Sequence, residues 1–140
     1  MTNSPRQFPF KRVATAALLA GVAAAVLNLV VYALANAAGV AFVVQMDPSA
    51  PAGPMPAPSF AVGSFVPALI AGGVLFALDA FTEHPARIFV GVAGAVALLS
   101  IGGPATVAGA SMGTRAALMA MHMVAAVTIT MLLLRRGHAS

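Results

Sequence analysis

Apolar residues run along this chain in four long blocks, broken by short polar or proline-rich interruptions. The blocks are Val13–Ala37, Phe60–Ala80, Ala86–Gly103 and Thr114–Leu134. None alternates as a half-buried strand does, and each reaches the roughly 17–25 residues that a helix needs to cross a bilayer. The third is the shortest and sits near the lower limit of that range. The pattern predicts an all-α chain, a single membrane domain built as a four-transmembrane-helix bundle.

The first block could be mistaken for a secretory signal, since Arg6, Lys11 and Arg12 precede it and small residues crowd Ala35–Ala37. A signal's apolar region is only about 7–15 residues long, so a retained span is the better reading. Between the first two blocks lies Met46–Ser59 (MDPSAPAGPMPAPS), which holds five of the ten prolines. It predicts an irregular or polyproline loop, because proline offers no amide donor. It reads as a stiff spacer, with a partner-binding motif as the alternative. Gly39–Gln45 (GVAFVVQ) is β-branched and apolar, and either extends the first helix or lies along the bundle's outer surface.

Composition agrees with this pattern. The 140 residues are 61% hydrophobic and 7% charged, with a mean hydropathy of +0.99. Soluble domains are about 25% charged, so the natural solvent here is a lipid bilayer. The net charge of +4 comes from seven Lys and Arg. With four spans, Arg6, Lys11, Arg12, Arg87, Arg135 and Arg136 share one side and Arg115 stands alone on the other. The positive-inside rule then places both termini in the cytoplasm. The charge sets membrane orientation and does not point to nucleic acid. The absence of cysteine removes disulfides, thiolate metal sites and thiol catalysis.

Small residues recur one turn apart: Gly21 and Ala25; Ser64, Ala68 and Gly72; Gly91 and Ala95; Ala93 and Ala97; Ala116 and Ala120. Such pairs let helix backbones approach closely in lipid. Pro67 interrupts the second block, displacing the carbonyl of Gly63, and Ser64 is placed to satisfy the freed group. At the short turn after the second block, Asp79, Glu83, His84 and Arg87 gather. They read as interfacial anchors with local pairing, Thr82 or a neighbour capping the next helix and Pro85 in its first turn.

Polar residues inside the spans are few. Asn28, Tyr32 and Asn36 form a stripe at i, i+4, i+8 that should face protein. Asn28 lies roughly 13 Å, and His122 roughly 10–12 Å, below the outer ends of their antiparallel helices. Ser64 and Ser100 fall nearer the same surface, and Arg115 sits about two turns above His122. The inner half is apolar save for Thr128 and Thr130. This asymmetry argues against a continuous hydrophilic pore in one monomer, and for an outward polar pocket or a dry hydrogen-bond cluster.

His122 stands in LMAMHMVAA and has three readings. It can hydrogen-bond another helix through Asn28 or Ser100. It can serve a ligand pocket or handle protons, as intramembrane ionisable groups often do. Or it can join Met119 and Met123, at i−3 and i+1 on the same face, in a copper(I) site of soft thioethers. Methionine is also an ordinary core filler. No cofactor is implied by the rest of the chain, and no nucleophile–base pair or paired carboxylates lie within the spans, so an enzyme is the least supported class.

Val26–Val40 (VLNLVVYALANAAGV), Leu98–Pro104 (LLSIGGP) and Ala117–Ala126 (ALMAMHMVAA) resemble a group of small bacterial four-helix membrane proteins classed only as a domain of unknown function. The resemblance implies four helices, with Asn28, Ser100 and His122 at recurrent polar positions, and no activity. Members of that group often carry an acidic residue in the outer loop before the fourth helix; Ser111–Thr114 has none here. The functional expectation is a structural or accessory subunit of the bacterial cytoplasmic membrane, as a homo-oligomer or part of a larger complex. The alternative is an oligomeric small-molecule transporter or channel with a pocket around Asn28 and His122.

Overall fold

The computed structural model describes residues 7–138; Arg6, counted above in the charge asymmetry, lies outside the described residues. Four helices follow in order: α1 (Phe10–Ala37), α2 (Ala57–Phe81), α3 (Pro85–Thr106) and α4 (Met112–Gly137). Their most apolar windows have mean hydropathies of 2.3, 2.1, 2.0 and 2.1, so each is long and apolar enough to cross a bilayer. This is an all-α membrane protein built as a four-helix bundle. One end carries the start of α1, the end of α4 and the α2–α3 turn; the other carries the α1–α2 and α3–α4 connections.

The helices outrun the apolar blocks at nearly every end, for local reasons. α1 starts at Phe10 because Pro9 sets an extended N-cap and its carbonyl accepts from Val13 N–H at 3.0 Å. α2 begins at Ala57, inside the expected loop. The first N–H groups of a helix have no intrahelical acceptor, so Pro58 in the first turn costs nothing. α3 reaches 22 residues because Pro104 sits in its last turn, where only the bond to the Ser100 carbonyl is lost. Pro85 opens α3 as expected, but its N-cap is His84 and makes no side-chain cap bond. Thr82 instead donates its hydroxyl to Leu78 O at 2.8 Å and closes α2.

Gly39–Gln45 neither continues α1 nor lies loosely on the surface. Gly39 turns the chain at φ +89°, and Val43–Val44 (β1) pairs antiparallel with Gly53–Pro54 (β2). Phe42, at φ +47°, is driven almost completely into the protein (1% exposed). Its ring centroid lies 4.9 Å from that of Tyr32 and 5.2 Å from that of Phe60. A left-handed phenylalanine costs about 1–2 kcal/mol, which the burial of a whole aromatic ring offsets. Gly109, at φ +71°, completes this lid, and the neighbouring Ala108 carbonyl accepts from Gln45 N–H at 2.9 Å. Phe42 and Val44 pack with Phe60, Leu118 and Met121 as a cluster under the loops.

A second cluster fills the middle and the terminal end, where Ala16, Ala17, Ala20 and Ala24 of α1 meet Ala68 and Leu75 of α2 and Ile129 and Leu133 of α4. Small side chains make this seam. A Cβ placed on Gly21 would stand 2.6 Å from Phe65, and one on Gly72 2.8 Å from the Ala17 Cβ. Ser64, Ala68 and Gly72 are all buried, as the one-turn spacing predicts. The other small pairs behave differently: Gly91, Ala95, Ala116 and Ala120 are exposed. α3 packs mainly on α4 and meets α2 over a shorter stretch. It buries only Pro85, Phe89 and Pro104.

Candidate functional site

Where α3 stands off from α2, the wall of the bundle opens into a cavity of about 500 Å³ between α2, α3 and α4. That volume is within the range of small-molecule sites. Along α2 the cavity runs from Ser59 to Val74, and along α4 from Leu118 to Thr130. At 1.5 Å per residue the α2 stretch is about 22 Å long. Phe89, Ala93, Ala97 and Ser100 supply the α3 side, at the spacing of one helix face. The lining is mostly hydrocarbon, and its polar groups gather in the half nearer the loops.

Asn28 of α1 also lines the cavity at this level and is 4% exposed. Its Nδ2 donates to Ser64 Oγ at 2.7 Å. Ser64 in turn donates its single proton to Phe60 O at 2.7 Å. The hydroxyl can therefore only accept from Asn28, which fixes the amide with Oδ1 on the other side. Asn28 Oδ1 is buried and has no partner. The pairing corrects two expectations. Ser64 serves Phe60 rather than the Gly63 carbonyl freed by Pro67, and Asn28 meets α2 rather than His122.

His122 and Ser100 line the same cavity without bonding to each other or to Asn28. His122 Nδ1 lies 2.7 Å from Leu118 O, one turn back on its own helix. Ser100 donates to Ala97 O at 2.8 Å on its own helix. In lipid a polar side chain that can reach a backbone carbonyl satisfies itself locally, and both do so. The methionine beside His122 in the cavity is Met121, while Met119 and Met123 lie off it and Met123 is 43% exposed. The face shared by Met119, His122 and Met123 is thus not the face that lines the cavity. Among the described residues no three of His, Cys, Asp and Glu gather as metal ligands.

The remaining expected residues surround this site rather than enter it. Tyr32 joins the aromatic lid, its ring 4.9 Å from that of Phe60. Asn36 is exposed, not turned into protein, and reaches only Tyr32 OH at 3.5 Å. It stands in the last turn of α1, where the interface can solvate it. Arg115 donates to Val107 O at 3.2 Å, folding its guanidinium back on the α3–α4 turn, with Nε unpartnered. At the opposite end Asp79 does not pair with Arg87. Its two oxygens accept from the backbone N–H groups of Gln7 and Phe8 at 3.1 Å each, pinning the segment before α1. Phe8 is thereby buried against Gly137 and the His138 ring.

Sequence reasoning named Ser100 and paired Ala93 with Ala97 but did not join them with Phe89 into an α3 wall, although the four share one helix face and could have been found by that spacing. It also missed Met121 and Gly63, for which only the standing-off of α3 supplies the reason. No curated protein and no solved structure matches the chain. A family match covers the span from buried Phe8 to the end of α4 and takes in the cavity whole: residues 8–139 match DUF6069, a family of unknown function, and the chain belongs to that family.

Proposed function

We propose that this protein binds a small apolar molecule within the bilayer, in the slot between α2, α3 and α4. The observation that carries the reading is a cavity of about 500 Å³ whose long axis is hydrocarbon and whose loop-side half holds Asn28, Ser64, Ser100 and His122. The role is binding, as carrier or accessory subunit, with no catalytic step. The positive-inside charge asymmetry supports cytoplasmic termini, and the sequence resemblance supports a bacterial cytoplasmic membrane. The polar half of the slot then lies toward the outside.

The test is native mass spectrometry from membranes, comparing the wild type with Ala97→Phe, which would fill the slot from the α3 side. An adduct retained by the wild type and lost from the variant is expected. Equal retention by both would overturn the reading. A reporter fused after Arg136 tests the orientation and should remain inside the cell.

A second reading, subunit association, is favoured by α3. A methyl group added at Gly91 or Gly94 would meet nothing within 4 Å, so another helix could approach these positions closely. The same spectra report it as an oligomer that Gly94→Leu dissociates.

A further inference from the structure

We infer that the slot's ligand is an uncharged molecule with a hydrogen-bond donor at its polar end, an alcohol or a phenol on a hydrocarbon body. The inference rests on the binding role proposed above and concerns the chemistry of what is bound.

Most polar hydrogens in the loop-side half are already committed, the second N–H of the Asn28 amide being the exception. Ser64 gives its hydroxyl proton to Phe60 O, and Ser100 gives its own to Ala97 O. His122 must donate through Nδ1, because its partner, the Leu118 carbonyl, can only accept. In the tautomer with its proton on Nδ1, Nε2 is a bare acceptor. Asn28 turns its NH₂ to Ser64 and leaves Oδ1 buried without a partner. Two helix-interior prolines extend the pattern. Pro67 and Pro104 have no N–H, so the carbonyls of Gly63 and Ser100, both residues of the cavity wall, lack their usual i+4 donor. The surplus at this level is of acceptors. Hydroxyls not committed to any bond stand at the extremes, Ser59 at the loop end and Thr130 about 12 Å beyond His122.

An acceptor surplus in low dielectric is costly until a donor arrives, and a ligand lacking one leaves the groups unpaired. Charge narrows the class further. None of the three acidic residues, Asp47, Asp79 and Glu83, lines the cavity, so an ammonium would sit there without a counter-ion. Arg115 does not line it either, so an anion would find no cation. A neutral donor satisfies both conditions.

The matched probes are para-octylphenol and its methyl ether, para-octylanisole, which share a body and differ in the donor. Saturable binding is measured for the full chain in lipid nanodiscs, after subtracting partition into empty discs. The phenol is expected to bind about three- to tenfold more tightly, the worth of one uncharged hydrogen bond. Asn28→Leu or His122→Phe should bring the ratio toward one; the two variants serve as alternatives should either fail to fold. Equal binding of the two probes by the wild type would overturn the donor inference while leaving the binding role intact. Tighter binding of the ether, or a phenol preference that both variants keep, would also overturn it. Saturable binding of neither probe would remove the binding role and the inference together.

Discussion

The α1–α2–α4 seam and the α3 side of the bundle are built from the same residue types and do opposite things. In the seam, glycine and alanine are points of contact: Gly72 faces the Ala17 methyl, Gly21 faces the Phe65 ring, and Ala20, Ala24 and Ala68 are fully buried. On α3, a Cβ added at Gly91, Gly94, Gly102 or Gly103 would meet nothing within 4 Å beyond its own helix. Small residues in a membrane helix permit close approach but do not compel it. The seam packs three helices closely. The fourth, held mainly by α4, keeps a slot open that a uniformly tight bundle would lack.

The largest expected effect breaks the seam. In Gly72→Val the new Cβ has no room against Ala17, whose position is fixed by backbone, so the variant should lose about 1–3 kcal/mol of stability in a reversible detergent-unfolding titration. Gly94→Val on α3 should change the same titration by under about 0.5 kcal/mol. Comparable losses in both would mean that α3 packs as tightly as α1. Ser64→Ala comes next. It strands the Asn28 amide at the edge of the slot and should cost about 1 kcal/mol, near the usual worth of a polar contact between membrane helices. Asp79→Asn should cost less, since its bonds lie at the exposed terminal end; the reading is faster amide exchange at Gln7 and Phe8 with the slot unaltered.

The smallest effect is in the loop. Ser49 donates to Asp47 Oδ1 from its hydroxyl at 2.7 Å and from its backbone N–H at 2.8 Å, and the two bonds hold the Asp47 carboxyl below its ordinary range. A depressed carboxylate stabilises its turn above the ordinary aspartate pKa of about 3.9 and loses that contribution as pH falls through the lower folded value. The Ser49 amide resonance should therefore be steady above about pH 4 and shift below it.

Much of the seam was legible in the sequence, and little of the slot was. Four spans followed from length and hydropathy, and Ser64, Ala68 and Gly72 were placed correctly as a ridge by their spacing alone. Asn28 and His122 were rightly put in the same half of the bundle by helix rise. Their partners were not. Which donor a buried amide meets depends on helix rotation, and rotation in lipid is set by small-residue packing that an alanine-rich sequence encodes redundantly. Gly91 reads the same as Gly21, each with an alanine one turn on, yet only Gly21 lies in the seam. The lid was illegible for another reason. Phe42 reaches its buried position through a left-handed backbone that no local propensity favours, and contacts from several parts of the chain, with Tyr32, Phe60, Leu118 and Met121, hold it there.

A binding site beside α3, as opposed to a loose fit, would set two methionines apart. Met121 lines it and Met123, two residues on, faces outward. Isotope-labelled methionine methyl resonances in lipid nanodiscs, followed while para-octylphenol is added, separate the two environments. A shift at Met121 that saturates, beside a small linear drift at Met123 from probe dissolved in lipid, is the predicted result. A Met121 methyl that only drifts in parallel with Met123 would contradict the account.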